Sequence, residues 1–337
     1  MRRSEKISRT TLDIDHVKRL IDSAAKKGIA FLSFTGGEPL LFLDDIIKLI
    51  NHASNAGIPY VRTGTNGFLF RHSDDPGFYD KISRMAEKIA ATNLYTFWIS
   101  LDSAHPVDHE KMRGLDGVVR GIKKAIPIFH AHGIYPSVNL GINRAIGGLA
   151  TQPFLNKMEP EEFQNHFQSA FEQFYQFVYD LGFTIVNACY PMSNGDCAAD
   201  QSILPESINT SIYGATSADS IINFSREEKA LIFKALFETI PKFRGKLRIF
   251  SPRCSLHNLI QKYTDRKAPL FPCRGGTDYF FVECDNGLIH PCGYRDEPQK
   301  GLPDLGQRLK RLPECDKCDW ECFRDPSDLL GLFADLF

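Results

Sequence analysis

The chain of 337 residues is 43% hydrophobic and 24% charged, and its 40 basic and 41 acidic residues leave a formal net charge of −1. This composition excludes disordered, collagen-like and coiled-coil proteins, and the length allows one large domain or a core with an appendage. No basic stripe indicates nucleic-acid binding. The first residues, MRRSEKISRTT, lack the apolar run of a signal peptide, and no stretch approaches a membrane span. We therefore expect a cytoplasmic protein without a membrane or nucleic-acid partner.

Short apolar runs alternate with amphipathic stretches over the first 190 residues. Runs rich in β-branched and aromatic residues predict buried parallel strands at 29–35, 58–65, 95–102, 134–143 and 183–190. Helical spacing predicts helices at 13–27, 44–56, 78–89, 118–129, 160–181 and 226–240, with a kink at Pro127. The phenylalanines along 160–181 are interpreted as core residues rather than a cofactor wall. The polar stretch 191–224 is predicted to be a long loop.

Repeated strand–helix units predict an α/β fold with a parallel sheet, either doubly wound or closed toward a barrel. The series begins with a helix, so the pattern lacks a first strand. Ligands bind at the carboxyl ends of the strands in such folds. Here those ends are polar or rich in glycine, at 35–39, 64–67, 100–103, 141–144 and 187–190. Five such turns in succession predict a mouth lined for a ligand.

The first of these turns is the most specific. Gly36 and Gly37 let the backbone pass close to a ligand, Glu38 adds a carboxylate at the rim, and Pro39 fixes the chain as it enters the next helix. A tight structural turn with a solvated glutamate is the alternative. Because the turn directly follows the apolar strand FLSFT and precedes a helix, we favour the ligand-binding interpretation.

The stretch FTGGEPLL at 34–41 resembles the glycine-rich motif of the radical S-adenosylmethionine (radical SAM) enzymes. The resemblance extends over about residues 10–190, through TNG at 65–67, SLDS at 100–103 followed by His109 and Arg113, and LGINR at 140–144. It implies a partial (β/α)6 TIM-like barrel with the first strand missing. The positions that it implies for S-adenosyl-L-methionine (SAM) are Gly36, Gly37, Glu38 and Pro39 for the methionine amino group, Ser100 and Asp102 for the ribose and methionine, and Asn143, Arg144 and Ala188 for the adenosine.

One departure from the family is serious. Its members hold a catalytic [4Fe-4S] cluster with a Cys-x3-Cys-x2-Cys loop after the first strand, whereas this sequence has no cysteine before Cys189. Because strand and loop are missing together, we expect that Met1 is not the true N-terminus. The chain as given is expected not to cleave SAM alone.

Cysteines are concentrated at the other end, where seven of the nine lie between Cys254 and Cys322. In a chain without a secretion signal, clustered cysteines are more often metal ligands than disulfides. The Asp285-Asn286-Gly287 turn predicts a hairpin that pairs Cys284 with Ile289 and places Cys292 opposite Phe281, so that Cys284 and Cys292 point to opposite faces. Cys315 and Cys318 have the short spacing of a metal-binding pair.

The resulting four-thiolate set is Cys273, Cys292, Cys315 and Cys318, with Cys322 as the rival for one of the last two positions and Cys254 as a weaker candidate. Spacing alone does not separate Zn(Cys)4 from an iron–sulfur cluster. The set resembles the auxiliary-cluster domain, SPASM or its shortened form twitch, of some radical SAM enzymes, which implies an auxiliary [4Fe-4S] cluster. Trp320 and Phe323 are expected to shield it from water.

These expectations divide the chain into a radical SAM core at 1–245 and an auxiliary-cluster domain at 246–337. The resemblance implies cleavage of SAM to a 5′-deoxyadenosyl radical, hydrogen abstraction from an unidentified small molecule or peptide, and an electron donor such as a flavodoxin or ferredoxin. The alternatives are a non-catalytic scaffold that binds zinc or an iron–sulfur cluster and, third, an unrelated barrel enzyme with Glu38 and Asp102 as acid and base. Four histidines, at 105, 109, 130 and 132, are interpreted as ordinary surface or rim residues.

Overall fold

The computed structural model describes residues 12–191, 221–264, 271–284, 286–293, 298–304, 307, 315–316 and 319–334. Six strands form one parallel sheet in the order β1-β2-β3-β4-β5-β6, and β7 and β8 form a separate antiparallel pair. The strands are β1 Phe31–Ser33, β2 Tyr60–Thr65, β3 Leu94–Ser100, β4 Ser137–Gly141, β5 Ile185–Cys189, β6 Arg248–Ile249, β7 Phe281–Val282 and β8 Ile289–His290.

Nine helices lie in the described part of the chain, together with short 3-10 turns at Pro39–Phe42, Phe68–Phe70 and Gln152–Lys157. The helices are α1 Ile14–Lys26, α2 Leu43–Asn55, α3 Phe78–Ala90, α4 Pro106–Arg113, α5 Val118–Ala131, α6 Pro160–Asp180, α7 Arg226–Phe243, α8 Arg253–Thr264 and α9 Glu321–Ala334. None of the helices in these ranges is long and apolar enough to cross a membrane.

The predicted α/β fold is confirmed. Each of the five predicted strands and six predicted helices has its counterpart, and the sheet is consistent with a partial TIM-like barrel that, over the described residues, is not closed. The helix α5 continues through Pro127. The two-residue strand β6 was not predicted, because a run of two residues has no period to detect. The predicted loop 191–224 lies mostly outside the described residues.

Strand alternation gives the sheet two different faces. Val61, Phe97 and Val186 belong to the apolar cores packed against the helices. The residues that alternate with these along each strand point to the opposite face of the sheet, which we call the inner face. There Asn187 Nδ2 donates to Asn139 Oδ1 at 2.9 Å. A side chain at Gly64 would meet the Trp98 ring at 2.0 Å, so glycine makes room for that indole.

The main core surrounds α6, whose phenylalanine stripe is buried as expected: Phe163, Phe167, Phe171 and Phe174. The same core continues past residue 245, through Ile249 of β6 and Leu256 of α8. The sheet and the main core therefore extend to α8.

Two buried polar contacts attach the C-terminal residues to this core. Asp319 is buried between Lys229 of α7, at 3.3 Å, and Lys262 of α8, at 3.0 Å. Burial acts to raise the pKa of Asp319, but the two lysines outweigh it and hold that pKa at about 2. Tyr190, which follows β5, donates its hydroxyl to the Asp325 carboxylate of α9 at 3.0 and 3.1 Å. Helix α9 is thereby held at the carboxyl end of β5.

Candidate functional site

The turn after β1 leaves an open backbone cradle at the carboxyl ends of the strands, which we call the rim. Gly36 and Gly37 have φ angles of +91° and +54°, in the region that favours glycine. Apart from the adjacent residues, no atom in the described part of the chain lies within 4 Å of where a Cβ would stand on either glycine. The cradle therefore has room for a ligand against bare backbone.

Glu38 lies in the turn at the rim and is buried, so it is not the solvated glutamate of the alternative interpretation. Its buried carboxylate accepts hydrogen bonds from Thr65 Oγ1 at 2.7 Å, the Asn66 N–H at 2.8 Å and the Leu40 N–H at 3.2 Å. Burial raises the pKa of Glu38. The carboxylate thus ties the turn after β1 to the turn after β2, and both of its oxygens accept hydrogen bonds from the protein.

Asp102, two residues after β3, forms a bidentate ion pair with Arg113 at the end of α4. Arg113 Nε lies 2.6 Å from Oδ2 and Nη2 lies 2.9 Å from Oδ1, and the Gly141 N–H donates to Oδ1 at 3.2 Å. Burial acts to raise the pKa of Asp102, but the adjacent guanidinium outweighs it and leaves the pKa lowered. The pair joins the ends of β3 and β4 through α4.

His109 is not an ordinary surface or rim histidine. Its side chain is 0% exposed, and Nδ1 accepts a hydrogen bond from the Asp102 N–H at 3.1 Å. Burial lowers the pKa of His109 to about 4, so the ring is neutral at pH 7 with its proton on Nε2. In the sequence, the signal for an inward-facing His109 was its position four residues before Arg113, which places both side chains on the same face of one helix. His105, by contrast, is exposed.

The remaining predicted SAM positions differ in what they offer. Ser100 ends β3 on the inner face, opposite Asn139 in the register. The Asn143 amide is used by backbone groups of Asp102, Gly141 and Ala145. The Arg144 guanidinium pairs with Glu228 at 2.5 Å and lies over the Phe224 ring, and the Ala188 side chain belongs to the helix-facing core.

The rim therefore divides into two kinds of residue. Gly36, Gly37 and Ser100 present backbone or an inward side chain, whereas Glu38, Asp102, Asn143 and Arg144 are held by protein contacts that shape the rim. These contacts occupy the two carboxylates that an acid–base barrel enzyme would have to use.

The C-terminal cysteines meet in a small core of their own, which we call the thiol cluster. It brings together Cys273, Cys292, Cys315 and Cys322, packed with Trp320 and Phe323. The Cys273 N–H donates to the Cys315 carbonyl at 2.6 Å, and the two aromatic rings stack at 4.5 Å. Cys284 is exposed, Cys254 is half-buried, and Cys197 and Cys318 lie outside the described residues.

The hairpin next to the thiol cluster has a different register from the predicted one. Phe281 pairs with His290 and Val282 with Ile289, so the prediction that Cys292 lies opposite Phe281 and Cys284 opposite Ile289 is wrong by two residues. The turn is longer than Asn286-Gly287 alone, because the Glu283 N–H bonds to Leu288 O and the Gly287 N–H to Glu283 O. A shift of two residues conserves the alternation of faces.

Arg324 of α9 is a buried cation without a partner in the described part of the chain. It is 1% exposed, and its Nε, Nη1 and Nη2 atoms make no hydrogen bond. Its charge acts on the Cys273 thiol and on the Asp328 carboxyl, although burial keeps the pKa of both groups raised. Burying a guanidinium without a hydrogen-bonded counter-ion costs several kcal/mol, and a negatively charged metal–thiolate centre beside it would offset that cost. The four thiols and the buried Arg324 charge are of the kind that such a centre needs. Among the described residues, no group of three or more Cys, His, Asp or Glu side chains is close enough to hold a metal ion as it stands.

The chain was compared with known proteins. A sequence model described as the radical SAM superfamily matches residues 2–144. A probable GTP 3′,8-cyclase of Methanococcus maripaludis is 27% identical over 120 residues, 35% of this chain and 36% of that protein. The GTP 3′,8-cyclase of Desulforamulus reducens is 31% identical over 121 residues, 35% of this chain and 33% of the enzyme. The match to these cyclases thus spans about a third of their length.

The AdoMet-dependent heme synthase of Methanosarcina barkeri is 22% identical over 328 residues, which cover 95% of this chain and 78% of that enzyme. The superfamily match includes the open glycine cradle, the tie made by Glu38 and the Asp102–Arg113 pair. Residues 2–144, which carry these features, are therefore similar to the radical SAM superfamily.

Proposed function

We propose that this chain provides the SAM-binding rim and an auxiliary iron–sulfur site of a radical SAM enzyme that abstracts hydrogen from its substrate. With a catalytic cluster supplied to it, SAM bound at this rim would be the source of the 5′-deoxyadenosyl radical. The protein's own part is to bind SAM, orient the substrate and exclude water. The observation that carries the proposal is the open cradle at Gly36 and Gly37 within the superfamily match.

At the rim, each polar side chain has a task in this proposal. The bare backbone of Gly36 and Gly37 receives the methionine amino group of SAM, and Pro39 fixes the entry into the following turn. Glu38 and Thr65 keep the first two strand ends in register, while Asp102 and Arg113 do so for β3 and β4. Ser100 is the inward hydroxyl available to the sugar, and the backbone around Asn143 and Ala188 borders the adenosine.

At the C-terminal end, we propose that Cys273, Cys292, Cys315 and either Cys318 or Cys322 hold an auxiliary [4Fe-4S] cluster in a SPASM- or twitch-like domain. The buried charge of Arg324 supports a negative group there. Since Zn(Cys)4 and an iron–sulfur cluster are both negative, the similarity of residues 2–144 to the radical SAM superfamily is the reason for favouring iron. The domain is proposed to begin after α8, because α8 packs in the main core.

The catalytic [4Fe-4S] cluster needs thiol ligands that this sequence does not contain. The 337 residues contain no Cys-x3-Cys-x2-Cys loop, so their donors do not fit that group. The same fact favours a second function, a non-catalytic scaffold that binds an iron–sulfur cluster or zinc through the thiol cluster. The similarity to the AdoMet-dependent heme synthase over 95% of the chain supports the enzymatic alternative, with a flavodoxin or ferredoxin as electron donor.

The test is production of 5′-deoxyadenosine after anaerobic reconstitution with iron and sulfide and reduction by dithionite in the presence of SAM. The 337-residue chain is expected to release none. The same protein with a Cys-x3-Cys-x2-Cys loop joined ahead of residue 1 is expected to release it. An extended protein that carries both clusters and leaves SAM intact would contradict the proposal and favour the scaffold.

A further inference from the structure

Arg62 of β2 occupies an unusual position on the inner face. Its guanidinium carbon lies 4.9 Å from the centroid of the Phe31 ring and 5.3 Å from that of the Trp98 ring, and its Nε donates to Ser33 Oγ at 3.3 Å. No carboxylate pairs with it in the part of the chain that the structure describes. The side chain is held by aromatic rings and a hydroxyl rather than by a counter-ion.

The free end of this guanidinium points to the thiol cluster. Arg62 Nη2 donates to Cys322 Sγ at 3.9 Å, across 260 residues of sequence. Cys322 stands in the first turn of α9 and packs against the buried members of the thiol cluster. A cation of the SAM-binding sheet thus contacts a candidate ligand of the C-terminal site.

A donor on the sulfur of a cluster ligand has a known physical consequence. Reduction adds an electron whose charge spreads onto the ligand sulfurs, and a cationic N–H that faces one of them stabilises the reduced form more than the oxidised form. The neighbouring Glu321 has its Oε1 only 3.3 Å from Cys322 Sγ, and a carboxylate there acts in the opposite direction. The cationic Arg62, which contacts the same sulfur, offsets that carboxylate.

We propose that Cys322 is a ligand of the auxiliary cluster and that Arg62 is a positioning residue whose N–H···S contact favours the one-electron reduction of that cluster. The inference rests on the proposed function, because it needs an iron–sulfur cluster at the C-terminal site. It goes beyond that proposal by making the potential of the C-terminal site depend on a side chain of β2.

The experiment is a redox titration of the anaerobically reconstituted chain with dithionite and mediator dyes, followed by the electron paramagnetic resonance signal of the reduced cluster. Arg62→Gln is expected to lower the ratio of reduced to oxidised cluster, at the wild-type midpoint, by about threefold to tenfold, where tenfold corresponds to about 59 mV for a one-electron couple. Arg62→Lys conserves the charge but loses the planar guanidinium, so its midpoint potential is expected to lie between those of the wild type and Arg62→Gln. Arg248→Gln is the matched control, because Arg248 lies over the Phe250 ring at 4.7 Å and has no thiol contact.

Iron and sulfide content, measured on each sample, separates the possible failures. A wild-type chain that holds no iron and sulfide overturns the auxiliary site and this inference with it. Arg62 variants with a full cluster and the wild-type midpoint overturn this inference alone. If Arg62→Gln fails to hold the cluster, the midpoint of Arg62→Lys decides, since an unchanged value contradicts the proposal and a lowered one supports it.

Discussion

Arg113 donates a hydrogen bond to each carboxylate oxygen of Asp102, from Nε to Oδ2 at 2.6 Å and from Nη2 to Oδ1 at 2.9 Å. Both side chains are more than four-fifths shielded from solvent. Through Asp102, this pair links α4 and the end of β3 to the backbone of β4 at Gly141. The pair therefore fixes α4 and the carboxyl ends of β3 and β4 relative to one another.

We therefore expect Arg113→Met to be strongly destabilising. The substitution leaves the Asp102 carboxylate buried without its counter-charge, which costs about 3–5 kcal/mol in the free energy of unfolding. Urea denaturation measures it. The control is Arg120→Met, which breaks a pair with Asp74 that is about 60% exposed on both sides and should cost about 0–1 kcal/mol. Equal costs for the two variants would show that the Asp102–Arg113 pair does not organise the rim.

Two of the glycines with φ near +90° provide a test of the SAM cradle. Gly36, at +91°, and Gly57, at +94°, both have nothing within 4 Å of a Cβ position, but only Gly36 lies at the rim. Alanine at either position is expected to cost about 1–2 kcal/mol in stability, from the strained backbone alone. Only Gly36→Ala should weaken the binding of SAM, by about tenfold or more in equilibrium dialysis, which is about 1.4 kcal/mol. Equal SAM affinity in both variants would place SAM elsewhere.

The buried His109 predicts a definite dependence of stability on pH. Its folded pKa of about 4 lies below its usual 6.5, so between these values the unfolded chain binds more protons than the folded chain. The free energy of unfolding should therefore fall as the pH is lowered from 6.5 toward 4, by up to about 3 kcal/mol, and His109 should contribute no slope above that window.

His109→Gln isolates this contribution, because the amide does not titrate while Glu38, Asp102 and the other carboxyls remain in both proteins. The difference between wild type and variant, followed by urea denaturation from pH 4 to 7, should shrink as the pH falls. The exposed His105→Gln should follow the wild-type curve. Parallel curves for wild type and His109→Gln would mean that His109 accepts a proton freely in the folded state.

Cysteine replacements test which thiols hold the C-terminal centre. Alanine at Cys273, Cys292, Cys315 or Cys322 is expected to lower the iron and sulfide retained after reconstitution and gel filtration. Alanine at the exposed Cys284 should leave both unchanged. Cys318→Ala then reports whether that residue, rather than Cys322, is the fourth ligand. A Cys284 variant that loses iron as readily as the others would contradict the thiol cluster.

Much of the fold was predictable because the parallel strands leave short runs rich in β-branched and aromatic residues, as in 95–102 and 183–190. The open backbone at Gly36 and Gly37 was predictable because two consecutive glycines stand between an apolar strand and a helix, where ligands bind in parallel α/β folds. The partners of charged side chains were not predictable, since the contacts of Asp102 with Arg113 and of Arg62 with Cys322 depend on how helices dock.

The hairpin shows the same limit at short range. Asn286-Gly287 correctly indicated a turn, yet the Asn286 side chain accepts from the Leu288 N–H and donates to Glu283, which draws more residues into the loop. The register moved by two residues as a result. A dipeptide signal does not set loop length, because side-chain hydrogen bonds within the turn compete with the strand ladder.

The most direct test of the account is the amount of iron, zinc and acid-labile sulfide bound per chain after anaerobic purification and reconstitution. Buried next to the unpartnered Arg324, the C-terminal thiolates are expected to hold about four irons and about four sulfides. About one zinc per chain without sulfide would contradict the auxiliary iron–sulfur site and leave a structural metal in its place.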